Sequence, residues 1–386
     1  MDVKTKTEKY IANTYARFDV VADHGDGSII FDENGKRYID LGSGIAVNTF
    51  GIADPKWVAA LTSQASRLQH SSNLYYTAPG ADLAEALCTR TGMKKVFFSN
   101  SGAEANECAI KVARKWAADN KGEDCHTIIT LENSFHGRTI TTLAATGQEV
   151  FHKDFTPLTE GFVTAKANDI ESVREAVKGC KVAAIMMEAV QGEGGVVPLE
   201  PDFVRDVCAL AERENFLVIF DEVQTGNGRS GALYAYMNFG VTPDIVSTAK
   251  GLAGGLPLGA TLLGEKVENT LTAGLHGSTF GANPVCCAAA LSVLSRIDDA
   301  LLKEVREKSD YVFKTLSGAP GIEGVTGMGL MIGIKTEKEA AEVAAKCRER
   351  GVLVLKAKDK VRLLPALNIP FDLLKEAVAV IAEASR

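Results

Sequence analysis

At 386 residues the chain is too long for a single small core and suits about two or three domains. Its 46% apolar and 24% charged residues are ordinary for a globular protein, and no apolar run reaches the roughly 18 residues that span a bilayer. A net charge of −7 with no basic stripe argues against a nucleic-acid partner.

The N-terminus carries Lys4, Lys6 and Lys9 interleaved with Thr and Glu, a solvated pattern without an apolar leader, so a cytoplasmic location is expected. Ser28–Phe31 and Arg37–Leu41 read as short hairpin segments joined by the turn Asp32-Glu33-Asn34-Gly35. Strand-like apolar runs follow at Lys95–Phe98, Thr127–Leu131, Phe162–Ala165, Val182–Met187, Phe216–Phe220, Ile245–Ser247 and Ala260–Leu263. Helical patterns lie between most of them. Ala103–Ala118 has an apolar stripe through Ala109, Ile110, Ala113 and Trp116, and Asp202–Glu214 follows Pro201, a good first-turn residue. Strands that are continuously apolar imply burial on both faces, hence an α/β fold with a mostly parallel, doubly wound sheet. Beyond residue 260 the rhythm changes. One long helical stretch from about Asn283 to Thr315 precedes Val325–Ile334, a helix near Glu337–Arg350, and strands at Val352–Leu355 and Val361–Leu364, which reads as a smaller α+β domain. The eight cysteines are scattered and form no C-x-x-C pair, so zinc and dithiol motifs are absent and reduced thiols are expected.

Ligands of doubly wound sheets bind at the carboxyl ends of the strands. Two residues there carry chemistry. Lys250 sits between the run Asp244-Ile245-Val246 and the glycine-rich Gly251 to Gly259, where burial favours the neutral, nucleophilic amine. Asp221 ends the run Phe216–Phe220. A Schiff-base lysine and an acid for a pyridinium nitrogen are what pyridoxal 5'-phosphate (PLP) chemistry requires, although a lysine before glycines is also an ordinary loop residue. Ser101-Gly102-Ala103 opens a helix, where free N–H groups and the dipole favour a phosphate; Ser101 with Glu104 is equally a plain capping box. Phe135 and Arg138 fit a ring-stacking aromatic and a carboxylate fork, or a core aromatic beside a surface cation. His136 fits a structural histidine. Glu188 to Gly195 reads as a site loop, and Arg362 lies inside an apolar strand, as a carboxylate receptor or an edge-strand charge. Gly226-Asn227-Gly228-Arg229-Ser230-Gly231 matches the G-x-G-x-x-G of dinucleotide sites, leaving an NAD-dependent oxidoreductase as a remote alternative, though five residues separate it from the strand.

Taken in order, Ser72-Asn73-Leu74-Tyr75, Phe98 to Asn106, Phe135 to Thr139, Leu143 to Gln148, Glu188 to Gly195, Phe220 to Gly226, Lys250-Gly251 and His276 to Gly281 carry a resemblance. The chain resembles, essentially end to end, the class III (subgroup II) aminotransferases of PLP fold type I. That resemblance implies a large PLP-binding domain at 51–285, a C-terminal small domain at 286–386, and residues 1–50 as an N-terminal part of the small domain. It implies that Lys250 holds PLP, that Asp221 pairs with the ring nitrogen, and that Gln224 bonds the phenolic oxygen. Val223 and Phe135 would cover the ring, and Ser101, Gly102 and Ala103 would bind the phosphate. Thr279 would add a phosphate contact from the neighbouring subunit of a homodimer. On the substrate side the resemblance implies Arg138 as a carboxylate clamp and Ser278 as a further contact. Glu193 would cover Arg362 in one half-reaction and release it to the α-carboxylate of 2-oxoglutarate in the other.

Gly44 stands where ornithine-specific members carry a tyrosine, leaving space for an acylated α-amino group. Tyr15 either lines the same pocket or packs the N-terminal segment. The implied reaction moves the terminal amino group of N2-acetylornithine to 2-oxoglutarate, giving glutamate by a ping-pong route. Succinylornithine, N-succinyldiaminopimelate, ornithine and 4-aminobutyrate remain alternative donors. Asn227 and Ser230 depart from the apolar residue and threonine common among members, and Cys286-Cys287 from Leu-Ala-type residues.

Overall fold

The structure, a computed structural model, describes residues 1–386. A helix, Val3–Tyr10, precedes three antiparallel strands, β1 (Ala22–Asp26), β2 (Ile29–Asp32) and β3 (Arg37–Asp40). The middle of the chain supplies β4 (Lys95–Ser99), β5 (Thr127–Leu131), β6 (Phe162–Ala165) and β7 (Val182–Met187). A two-residue pair follows, β8 (Val190–Gln191) and β9 (Val197–Pro198), and then β10 (Leu217–Asp221), β11 (Ile245–Thr248) and β12 (Gly259–Leu263).

Seven of these form one sheet in the order β4-β12-β11-β10-β7-β5-β6. From β11 to β6 all neighbours are parallel, while β12 is antiparallel to both β11 and β4. Every residue of β7, β10, β11 and β12 is buried, as the apolar runs of β7 and β10 require, with Ser247, Thr248 and Thr261 buried alongside. Alternate residues serve opposite layers. Val218 and Phe220 of β10 join the larger core, and Leu217 and Ile219 join the core under the helix Gly102–Lys121.

The last part of the chain supplies β13 (Ile322–Met328), β14 (Met331–Thr336), β15 (Val352–Leu353), β16 (Leu355–Ala357) and β17 (Lys360–Leu363). Four pair as β13-β14-β17-β16, and β15 instead runs parallel to β3, so the two ends of the chain share a sheet. Arg362 therefore lies on an inner strand, facing Gly333 on one side and Leu355 on the other; the edge-strand reading is corrected.

Two other expectations are corrected. The long helix from Asn283 is two, Pro284–Leu294 and Asp299–Leu316. Asp298 caps the second by accepting from Leu301 N at 2.8 Å, and Arg90 donates to the carbonyls of Leu294 and Ile297 in the break. The Gly226–Gly231 run opens no helix. It turns with Asn227, Gly228 and Gly231 at positive φ and leads only to the short turn Ala235–Phe239, so it lacks the helix N-terminus that a dinucleotide fingerprint needs.

The ends of β4, β5, β7, β10 and β11 converge on one edge of the sheet, beside the start of β12. Gly259 permits this closeness: a Cβ there would stand 2.6 Å from Ser99 Oγ and against the backbone of Ser101. Gly259→Ala is expected to lower unfolding stability by about 1–3 kcal/mol, read as a shifted denaturant midpoint at unchanged slope.

Candidate active site

A cavity of about 450 Å³ lies at this edge, lined by residues from each converging strand end. Of the residues singled out from sequence, Ser101, Gly102, Ala103, Phe135, Arg138, Asp221, Val223, Gln224 and Lys250 all line it.

Asp221 closes β10 and is 4% exposed. Its Oδ2 accepts from Asn106 Nδ2 and lies against His136 Nδ1, each at 2.8 Å, and its Oδ1 accepts from Val223 N at 3.0 Å. Asn106 also donates to the His136 carbonyl at 2.7 Å, tying the helix Gly102–Lys121 to the loop after β5. Asn106 was not picked out from sequence. Its signal was there, an amide four residues after Gly102 within a stripe of alanines. Glu188, directly after β7, is also buried; it accepts from Phe135 N at 2.8 Å. Burial, with the nearby Asp221 charge, pushes its carboxyl up to about 7 against the opposing pull of His136.

Lys250 follows β11 with φ 46°, a left-handed conformation that costs a non-glycine residue about 1–3 kcal/mol. Burial moves its amine below the ordinary lysine range, although the Glu193 carboxylate opposes this. Ser101 caps the helix Gly102–Lys121 by accepting from Glu104 N at 3.2 Å, and the Glu104 carboxylate accepts from Asn100 N at 2.7 Å. The first-turn N–H groups of Gly102 and Ala103 have no intrahelical acceptor, and both residues line the cavity. Gly102 must be glycine for Val223 to pack there, since a Cβ would stand 2.6 Å from Val223 Cγ1.

Glu193 and Arg362 are 169 residues apart, yet Arg362 Nη1 donates to Glu193 Oε1 at 2.6 Å and to Gln224 Oε1 at 3.1 Å. Glu193 comes from the loop between β8 and β9, and Arg362 from the middle of β17. Burial alone would raise the Glu193 carboxyl; the charge and hydrogen bond of Arg362 outweigh it and hold Glu193 below its usual range. Arg138, in contrast, is exposed and makes no ion pair. Its guanidinium carbon lies 4.2 Å from the Phe151 ring centre and 5.6 Å from that of Phe135.

Five of the sequence-selected residues are not among the cavity lining: Glu193 and Arg362, which both bond the lining residue Gln224, and Ser278, Thr279 and Tyr15. Ser278 accepts from Asn100 Nδ2 at 3.1 Å, just outside it. Thr279 is exposed beside Phe280, which is 57% exposed. Tyr15 is 70% exposed and, with Gly44, lines a separate cavity of about 780 Å³ beneath the N-terminal segment. Neither Tyr15 nor Gly44 lines the Lys250 cavity.

The site thus combines a depressed amine, a buried strand-end acid, an anion-receptive helix start, one free and one covered arginine. This is the equipment of a transaminase. Residues 10–384 match the family described as aminotransferase class-III. The chain is 49% identical to an acetylornithine aminotransferase of Haemophilus ducreyi, over 99% of this chain and 98% of that one. Among solved structures, an N-acetylornithine aminotransferase from Stenotrophomonas maltophilia is 34% identical with a TM-score of 0.85, covering 98% of this chain and 97% of that one. An ornithine aminotransferase from Toxoplasma gondii is 31% identical with a TM-score of 0.95, covering 99% and 94%. The chain belongs to the class-III aminotransferases, enzymes that depend on PLP.

A second buried acid gives a pH test independent of turnover. Glu222 accepts from Tyr236 N at 2.8 Å and Thr225 Oγ1 at 2.5 Å, and burial pushes its carboxyl up to about 7. The unfolded chain releases this proton near 4.5 while the fold keeps it, so its contribution to stability falls as pH rises from about 4.5 to 7. Glu222→Gln is expected to flatten that fall, with a relative gain on the order of 3 kcal/mol at pH 8 over pH 4, read from denaturant midpoints at each pH.

Proposed function

We propose that the chain transfers the terminal amino group of N2-acetyl-L-ornithine to 2-oxoglutarate by a reversible ping-pong reaction, as a step of arginine biosynthesis. The observation that carries this reading is the unequal state of two arginines: Arg138 is free to take a carboxylate, while Arg362 is covered by Glu193. A site that accepts an acylated diamino acid and then a dicarboxylic keto acid needs one receptor always open and one that opens on demand. The identity to an acetylornithine aminotransferase of Haemophilus ducreyi supports the donor.

The residues present suit PLP. Lys250 offers the amine that anchors it, Asp221 an anion for the ring nitrogen, and Gly102 and Ala103 N–H groups for its phosphate. Phe135 and Val223 give it apolar walls, and Gln224 gives an amide for its phenolic oxygen. When bound, PLP supplies an electron-accepting ring that stabilises the charge left as a proton departs the carbon bearing the amine. Asp221, held by Asn106, His136 and the Val223 N–H, keeps a proton at the ring nitrogen. Lys250, once its amine is free, would serve as the base and acid that moves the substrate's proton; its depressed basicity suits that task. Arg138 orients the donor by its carboxylate, with Ser278 beside it. In the second half-reaction Glu193 swings from Arg362, which then binds the α-carboxylate of 2-oxoglutarate.

A homodimer completes this reading. Leu74, Tyr75 and Phe280 expose 88%, 71% and 57% of their surfaces. The segments are joined, since Asn73 Nδ2 donates to Gly281 O at 2.9 Å, and Thr279 lies on the same surface. A second copy covering that apolar surface would receive Thr279 as a phosphate contact. No helix is long and apolar enough to cross a membrane, and the eight unpaired cysteines suit a reducing compartment such as the cytoplasm.

The test is the visible absorbance of the purified protein mixed separately with N2-acetylornithine, ornithine and 4-aminobutyrate. Fastest bleaching by N2-acetylornithine is expected; faster bleaching by another amine moves the donor, and no band after PLP addition ends the reading. Lys250→Ala is expected to abolish the band and the turnover while the protein stays folded. Arg362→Met is expected to raise KM for 2-oxoglutarate on the order of 100-fold, with the first half-reaction changed only a few-fold in single-turnover measurements.

A further inference from the structure

The Gly226–Gly231 run holds no dinucleotide helix and lines no part of the Lys250 cavity, yet it packs directly behind it. Asn227 is 3% exposed and sits at φ 58°. Its Nδ2 donates to the Ala249 carbonyl at 3.2 Å and to Thr248 Oγ1 at 3.1 Å. A carbonyl oxygen can only accept, so this contact fixes which end of the amide points there. The same Ala249 carbonyl accepts from Leu252 N at 2.9 Å, closing the turn that contains Lys250.

On the far side of the lysine, Thr49 Oγ1 donates to the Gly251 carbonyl at 2.7 Å. Thr49 is 2% exposed, and its own carbonyl accepts from Leu367 N at 2.9 Å, so it is anchored in turn. Gly251 is enclosed between the two. A Cβ there would stand 2.7 Å from Thr49 Oγ1 and 3.5 Å from Asn227 Cβ. The carbonyls flanking Lys250 are thus gripped by side chains from two remote segments, while the lysine between them occupies a backbone conformation that L-residues rarely adopt.

We propose that Asn227 and Thr49 are positioning residues that hold the Lys250 backbone in its left-handed conformation and so fix where its amine enters the cavity. Neither is a catalytic residue; both act through Lys250, and the inference rests on reading Lys250 as the PLP anchor. Asparagine also tolerates positive φ for purely local reasons, so the test must separate the grip of the amide from the shape of the turn.

Asn227→Gly permits the left-handed turn and removes the side chain with its amide. Asn227→Asp keeps the size and sets an acceptor against the Ala249 carbonyl. Thr49→Val removes the hydroxyl, and Thr49→Ser restores it. PLP affinity of the cofactor-stripped full-length chain is measured by equilibrium dialysis, each variant made with Lys250 present and with Lys250→Ala, and thermal midpoints are recorded. With Lys250 present, Asn227→Gly and Thr49→Val are expected to weaken PLP binding at least about 10-fold, since a misplaced amine bonds its partner poorly. In the Lys250→Ala background the same changes are expected to matter less than about two-fold, and Thr49→Ser to match the parent. Equal weakening in both backgrounds, or none in either, overturns the proposal. If Asn227→Gly does not fold, Asn227→Asp decides by the same comparison. Lys250→Ala binding PLP as tightly as the parent removes the anchor reading itself, a result distinct from failure of Asn227 or Thr49 alone.

Discussion

Burying a carboxylate costs free energy unless donors surround it, and much of this protein's central architecture answers to that constraint at Asp221. The acid ends β10 at 4% exposure, on the wall of the cavity. Its oxygens are met by Asn106 from a helix, His136 from the loop after β5, and a main-chain N–H two residues on. Asn106 then reaches the backbone of His136 as well, so helix, loop and strand end are fixed relative to one another by one set of polar contacts. Truncating Asn106 or His136 removes one of the two partners of Oδ2, so the buried acid keeps its full set only while all three elements stay in place. That arrangement matters because the same three elements carry Gly102, Phe135 and Val223 to the cavity wall.

Polar bonding draws these elements together only where the backbone lets them approach. Glycine provides the room at two places. At Gly102 a side chain would collide with Val223, and at Gly192 it would stand 2.6 Å from Gln224 Cδ. Removing the second contact places Gln224 between Arg362 and Glu193, where it bonds both. The loop carrying Glu193 is short because β8 and β9 pair across it through Val190 with Pro198 and Gln191 with Val197. A two-residue ladder is enough to aim an acid at an arginine from a different sheet.

The sheet and its reactive edge were legible in the sequence because burial on both faces writes itself as unbroken apolar runs, and the lysine and aspartate stand where two such runs stop. What stayed hidden shares a physical cause: it depends on partners distant in the chain or on backbone groups alone. β1, Ala-Asp-His-Gly-Asp, has no apolar alternation and is held by main-chain pairing to β2. The break between Leu294 and Asp299 is stabilised by Arg90, about two hundred residues earlier, which no local pattern reveals. Glu193 and Arg362 each looked functional, but their contact required the fold. Asn106 was masked by the alanine stripe in which it sits. Thr279 and Tyr15 lie exposed, away from the Lys250 cavity, so the fold of the chain adds nothing to what the sequence said of them.

The Glu193–Arg362 pair also bears on how one cavity handles two different acids under the proposed reaction. An uncovered, buried guanidinium would pay the full cost of desolvation whenever no keto acid is present. Glu193 removes that cost, and Arg362 in return holds the Glu193 carboxyl below its usual range. An incoming α-carboxylate then replaces one carboxylate by another on the same guanidinium. The exchange creates no unpaired buried charge at its end points, provided the released Glu193 finds solvent, and its 30% side-chain exposure against 3% for Arg362 gives it that route. The acid is the mobile partner because it is the exposed one, carried on a loop, while the arginine is fixed by the strands on either side. On the proposed reaction, selectivity between half-reactions would follow from burial: the free Arg138 would take a carboxylate presented at the mouth, and Arg362 would yield only to one placed well enough to displace an internal competitor.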